Sequence, residues 1–262
     1  MSPPASGRPR LRKREVLFAV AAGVLAAGAA ALILDNDDEG PTIAVTAEDS
    51  GTRTYELAPF AQLATFGAHD VVIEYGETQS VRAEGPANAL AGIEAAVRDG
   101  RLTIRPNGIP QFSDWGGFGE VTYYVTLPRL ESVTLSGPGD VSIDRIEGES
   151  FSGSVRGPGE LTIEALQVDD AEFAVRGPGQ IAAAGTAGKT RVTIEGPGEV
   201  DAEELTSATA MVTVSGPGEL ELTVDDDAQV SVTGGGNVDI AGTASCTVSR
   251  AGTGNVRCGE GD

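Results

Sequence analysis

The chain has 262 residues, enough for one large or two small domains with a real core; glycine is abundant at 36 residues and aromatics make up only 5%. Glycine does not recur at every third position, which excludes collagen. The net charge of −21 hides an asymmetry: residues 1–34 hold five basic residues and one acidic, leaving 13 basic and 38 acidic in residues 35–262, a net of −25. A body this acidic repels nucleic acid and anionic membrane surfaces, so neither is expected as its partner.

Residues 1–15 form a basic segment, with Arg8, Arg10, Arg12, Lys13 and Arg14. Residues 16–34, VLFAVAAGVLAAGAAALIL, carry no charged side chain. As a helix they would span about 28 Å, close to the hydrocarbon thickness of a bilayer. The basic cluster before them and the acidic run Asp35–Glu39 after them predict a cytoplasmic amino terminus and an exported body. A signal sequence cleaved in the alanine-rich stretch is the rival reading. Residues 35–55 read as an acidic linker; Thr46 stands where a calcium loop beginning at Asp35 would need its bidentate glutamate.

Residues 56–128 alternate apolar and polar side chains in short runs, HDVVIEYG, QSVRAEG, GRLTIRP and EVTYYVTLP, and are predicted to be a β-rich half. Residues 87–97 suit either a short helix or a strand. The segment 117–121 lies 20 residues before the first Gly-Pro-Gly and is a candidate degenerate zeroth coil. The loop 106–119, PNGIPQFSDWGGFG, holds the single tryptophan, Trp115; the aromatics there would either cap the core or face a sugar or protein.

Residues 129–262 are an internal repeat. Its corners are Gly137 and Gly139, Gly157 and Gly159, Gly177 and Gly179, Gly196 and Gly198, Gly216 and Gly218, Gly234 and Gly236, and Gly252 and Gly254, spaced by 18 to 20 residues. A period near twenty signals a solenoid. Gly-Pro-Gly-Glu suits a type II turn, with positive φ assigned to the third position. Around each corner apolar residues alternate, as in Val133 and Leu135 before Gly137 and Val141 and Ile143 after it, so three short strands per coil each bury one face. The predicted fold is therefore all-β, a parallel β-helix with Gly-x-Gly corners, preceded by the β-rich half and one transmembrane helix; a sandwich of hairpins is the structural rival. Cys246 and Cys258 flank the last corner at six residues on either side, both on inward parity, and are expected to form a disulfide in the oxidising compartment outside the membrane.

The residues after each Gly-x-Gly, namely Asp140, Glu160, Gln180, Glu199, Glu219, Asn237 and Asn255, would stack into an oxygen-rich stripe. Calcium binding and a hydrated, aggregation-resistant face are its two readings, and the second is preferred because nothing shows a convergent cage. Arg156, Arg176 and Glu195 could serve a polysaccharide-cleaving enzyme, yet the coils are short and no long loop inserts between them. His69 is the only histidine, no Gly-x-Ser-x-Gly element accompanies it, and it reads as structural.

The succession of 59–106, then VTYYVTLPRLESVTLSGPGDV, then the Gly-x-Gly repeats, resembles the auto-transporter adhesin head GIN domain family over about residues 56–258. The resemblance implies a bacterial envelope protein with a β-helix-like fold and no established activity, and it supplies no catalytic or binding residues to carry over. The expectation is an extracytoplasmic structural or interaction module, adhesin-like, tethered through residues 16–34 to the membrane of a bacterial cell envelope. It has an unknown protein or glycan ligand, no nucleic-acid partner, and no catalytic, cofactor-binding or metal residues. A glycan-binding or glycan-cleaving β-helix protein of the envelope is the alternative.

Overall fold

The computed structural model describes residues 44–48, 51–107 and 120–259. The predicted cytoplasmic segment, the anchor at 16–34 and residues 108–119 of the tryptophan loop at 106–119 lie outside the described residues. Among the described residues no helix is long and apolar enough to cross a membrane.

In chain order the elements begin with β1 (Ala44–Glu48), β2 (Thr52–Glu56), β3 (Gln62–Phe66), β4 (Asp70–Tyr75), β5 (Ser80–Glu84) and α1 (Ala87–Ala91). Then come β6 (Ile93–Arg98), β7 (Arg101–Pro106), β8 (Thr122–Leu127), β9 (Ser132–Ser136), β10 (Val141–Ile143) and β11 (Ile146–Arg156). The series closes with β12 (Glu160–Arg176), β13 (Gln180–Glu195), β14 (Glu199–Ser215), β15 (Glu219–Gly234), β16 (Asn237–Ala241), β17 (Ser245–Gly252) and β18 (Asn255–Cys258). The ambiguous stretch 87–97 is both things in turn: Leu90 N donates to Pro86 O at 3.0 Å to make one helical turn, Gly92 ends it, and β6 follows.

From β9 onward every pairing is parallel, and each coil lies in register on the one before it. This excludes the hairpin sandwich. Three faces recur in each coil. One precedes the corner glycine, as in Val133↔Gly153 and Leu135↔Val155. One follows it, as in Val141↔Leu161 and Ile143↔Ile163. The third starts near Ile146↔Leu166, and between the second and third faces the register slips at Ile163/Leu166 and again at Ala182/Gly185 and Ala202/Thr206. Those slips absorb the 18- and 19-residue coils without disturbing the other two faces. The inward columns are closed to solvent: Phe173, Val175, Ile181, Val192, Ile194, Val200 and Val214 have no accessible surface. Rungs about 4.8 Å apart thus stack apolar side chains into one continuous core.

The corner chemistry differs from the type II expectation. Positive φ falls on the first glycine of each corner, +135° at Gly137, +113° at Gly157, +108° at Gly196 and +131° at Gly252, and not on the third. The third glycine is required for another reason. A Cβ on Gly198 would sit 2.6 and 2.8 Å from the carbonyl oxygens of Gly177 and Gly179 in the preceding coil. Backbone polar groups at the corner bond between coils, Gly159 N to Gly137 O at 3.0 Å and Glu199 N to Gly179 O at 3.1 Å. The coils approach so closely here that no side chain fits between them.

Residues 117–119 of the candidate zeroth coil lie outside the described residues, and the coil that pairs directly with the first Gly-Pro-Gly coil is a different one. It is β3–β4, whose corner is Gly67-Ala68-His69-Asp70. Gln62–Phe66 pairs with Ser132–Ser136 and Asp70 begins the strand whose Val71 pairs with Val141. Gly67 has φ +123°, matching Gly137 above it. A still earlier coil is formed by β7 and β8, which pair in parallel with β3 and β4. Antiparallel strands then close this end: β6 on β7, and β5, β2 and β1 in succession on β8. Tyr55, Phe60 and Leu90 are buried beneath them.

The far end is finished differently. Cys246 continues the inward column of Ala228 and Cys258 that of Ile240, and their Cα atoms are 6.4 Å apart, within disulfide reach. In the column of Val214 and Val232 the last coil places Arg250, whose Nη1 donates to Gly254 O at 3.2 Å. An inward-pointing charge on an edge strand blocks further coils from stacking.

Candidate binding groove

The sequence singled out three groups of polar residues, the stripe after each corner, the series of Arg156, Arg176 and Glu195, and His69, and the structure sets the first two on opposite sides of the corner. The oxygen-rich stripe exists: Glu160, Gln180, Glu199, Glu219, Asn237 and Asn255 are successive register partners. Its members hold one another's coils. Asp140 Oδ1 accepts from Glu160 N at 3.1 Å, Asp70 Oδ1 accepts from Asp140 N at 3.0 Å, and Asn237 Nδ2 donates to Glu219 Oε1 at 3.1 Å. The Glu199 carboxyl is pushed up by partial burial and by Glu219, Asp201, Glu221 and Glu160 around it. Asp70 is raised by burial and by Glu120, against the lowering effect of the Asp140 amide. Among the described residues no three acidic, histidine or cysteine side chains converge to hold a metal ion.

Arg156, Arg176 and Glu195 stack in one column on the opposite side of the corner, and Arg176 Nε donates to Glu195 Oε2 at 3.0 Å as an exposed ion pair. His69 occupies the third corner position of its coil, where all later coils have glycine. Its imidazole is buried, shares a 2.6 Å hydrogen bond with Thr65 Oγ1 and lies 5.5 Å from the Tyr123 ring. Desolvation lowers it to about 4, so it is neutral at physiological pH. Burial likewise pushes the Tyr123 hydroxyl up, next to Tyr55 Oη at 3.4 Å.

A concavity among the described residues lies elsewhere, where the third face of each coil bends into the first. It is an open groove of about 730 Å³ running along the solenoid axis. Two outward columns wall it. One is Ser150, Asp170, Lys189, Thr209, Asp227 and Ser245; the other is Ser152, Glu172, Arg191, Met211, Gln229 and Thr247. The floor is the intervening inward column of Phe151, Ala171, Thr190, Ala210 and Ala228, all buried. Thr190 Oγ1 and Ser207 Oγ satisfy each other at 2.7 Å beneath it. One coil sets two cations side by side, Lys189 and Arg191, while the preceding coil sets two carboxylates, Asp170 and Glu172. Arg191 Nη1 contacts Met211 Sδ at 3.0 Å, and Met211 is 42% exposed.

The sequence reading missed this groove. Its signal was available, since the two wall columns stand seven and five residues before each next corner glycine. What the residue pattern lacked was the bend that makes those columns face each other.

The described residues thus form a parallel β-solenoid with regular polar faces and a groove along its axis. The chain belongs to the family described as "putative auto-transporter adhesin, head GIN domain", whose model matches residues 59–244. Its fold is shared by solved structures of low sequence identity. A putative adhesin from Bacteroides fragilis is 20% identical, with a TM-score of 0.73, over 78% of this chain and 94% of that one. A putative adhesin from Parabacteroides merdae is 18% identical, with a TM-score of 0.62, over 78% and 94%. A protein from Parabacteroides distasonis described as a putative lipid binding protein is 16% identical, with a TM-score of 0.61, over 84% and 98%. No curated protein sequence matches the chain.

Proposed function

We propose that this protein is an extracytoplasmic, adhesin-like interaction module of the bacterial envelope, tethered through residues 16–34, that works by presenting its faces and carries out no reaction of its own. The observation that carries the reading is the regularity of the coils. From Gly137 to Gly252 the corners recur every 18 to 20 residues, and no inserted loop rises between them to build a cleft. The family description and the basic-apolar-acidic order of the amino terminus support the location. The exposed arginines and carboxylates that an enzyme would need are spread along columns or spent on surface ion pairs such as Arg176–Glu195.

The test is made in cells carrying the full chain with an alkaline phosphatase reporter fused after Asp262. The reporter should be active outside the cytoplasm and stay with the membrane fraction, and cells bearing the chain should be retained on envelope- or glycan-coated surfaces more than cells lacking it. A reporter active only in the cytoplasm, or equal retention of both cell types, overturns the reading.

A further inference from the structure

We infer that the axial groove is a binding site for an acidic glycan whose carboxylates are widely spaced, held through Lys189 and Arg191; this rests on the display function proposed above. The floor is closed by Phe151, Ala171, Thr190, Ala210 and Ala228, so it offers no pockets for peptide side chains. It suits a polymer lying along the axis. Hydroxyl and amide groups line it on several rungs, with Ser150, Ser152, Thr209, Gln229 and Thr247 able to exchange hydrogen bonds with sugar hydroxyls.

The charge pattern sets the class of sugar. Lys189 is one of only two lysines in the chain, and it shares a rung with Arg191 in a body of net charge −25. Among the described residues neither has a carboxylate within ion-pair distance, while Arg105, Arg129, Arg145 and Arg257 all do. Two cations on one rung, one from each wall of the groove, are a receptor for one carboxylate, with the guanidinium giving a bidentate fork. The neighbouring rungs limit what else can bind. Asp170 and Glu172 lie one rung away, about 4.8 Å, and Asp227 lies two rungs away on the other side. A polymer with an anion on every sugar would set like charges against these residues. A polymer with a uronate on every second sugar places one on the cation rung and a neutral sugar on the Asp170 and Glu172 rung, and it runs from there towards Ser150 and Ser152, away from the Asp227 rung where a uronate would otherwise fall. Met211, exposed beside Arg191, offers an adaptable apolar contact for a sugar face or acetamido methyl.

The test titrates the full chain in detergent with three labelled hexasaccharides: hyaluronan, with one carboxylate per two sugars; oligogalacturonate, with one on each; and neutral chitohexaose. Wild type should bind the hyaluronan fragment best. The double variant K189Q/R191Q should weaken that binding by about tenfold or more and leave chitohexaose binding and the thermal melt unchanged. D170N/E172Q should strengthen binding of oligogalacturonate. Failure of wild type to bind the hyaluronan fragment, preference for oligogalacturonate, or indifference to K189Q/R191Q would each overturn the assignment. Cell retention without hexasaccharide binding removes the ligand class and leaves the display function standing; hexasaccharide binding without retention does the reverse.

Discussion

Gly198→Ala separates the two ways in which a corner glycine can be indispensable. In the native corner a Cβ on Gly198 would stand 2.6 Å from Gly177 O and 2.8 Å from Gly179 O, both rigid backbone, and would strike Val175 as well. Relief requires the two coils to part by several tenths of an ångström. That movement stretches Glu199 N to Gly179 O and Glu219 N to Gly198 O, each 3.1 Å, and each worth about 1 kcal/mol. Adding overpacking of about 1–3 kcal/mol gives a loss of roughly 3–5 kcal/mol. At about 2–4 °C per kcal/mol for a chain of this size, the melting temperature should fall by roughly 6–20 °C. Gly196 is the control. Its φ is +108°, but a Cβ there would find its nearest neighbour 3.5 Å away, so Gly196→Ala meets backbone strain alone, about 1–3 kcal/mol. Asparagine tolerates positive φ better than alanine. Gly196→Asn should therefore recover part of the loss, and Gly198→Asn should recover none. Calorimetry on the purified full chain reads all four variants. A Gly198→Ala melt within about 2 °C of wild type, or rescue of position 198 by asparagine, would refute the close-approach reasoning.

Three further outcomes follow from named residues. His69 is neutral in the fold, with its pKa lowered from 6.5 to about 4, so the unfolded chain binds the extra proton between those values. Its contribution is complete above pH 6.5 and is lost as pH falls towards 4, at most about 3 kcal/mol; pH-dependent melts of His69→Gln should show a shallower loss over that window, and an unchanged slope would count against the buried neutral imidazole. The proposed Cys246–Cys258 bond closes a loop of 12 residues and should add about 2–3 kcal/mol, chiefly to the last coil; alkylation of denatured, unreduced protein should leave both cysteines unlabelled, and two labelled thiols would rule the bond out. Arg176→Ala breaks an exposed ion pair and should change stability by less than about 1 kcal/mol, so a larger loss in denaturant titration would mean the pair is not the solvated contact described.

The solenoid was legible because its inward columns are repeated seven times with a marked corner. Val192, Val212 and Val230 announce themselves by position relative to the next glycine. The corner mechanism was not legible, because Gly-Pro-Gly fits a local turn equally well and the decisive contacts come from the coil beneath. The β3–β4 coil escaped because its corner, Gly67-Ala68-His69-Asp70, has neither proline nor third glycine and lies 70 residues before its partner at Gly137. His69 fits there for a physical reason. Its imidazole packs against Tyr123 and Thr65 where, one coil later, Gly139 must yield to the His69 backbone itself. The groove depends on the bend between the third face and the first, which residue spacing alone does not locate.

The order of coils along the axis is not their order along the chain, and that has a kinetic consequence. Residues 132 onward can assemble by adding each coil to its predecessor, closing about 20 residues at a time. The β3–β4 coil must instead be gripped between partners made later: Gln62 waits for Arg101, and Val71 waits for Val141, 70 residues away. Closing 70 residues rather than 20 costs about 1 kcal/mol more in chain entropy. The nascent amino-terminal half therefore has no complete stack to join until the first repeat coil has been delivered. A chain emerging amino terminus first would hold the β9-facing edge of β3 unpaired through that interval, and the slow phase of folding should belong to this junction, with the repeats propagating quickly behind it.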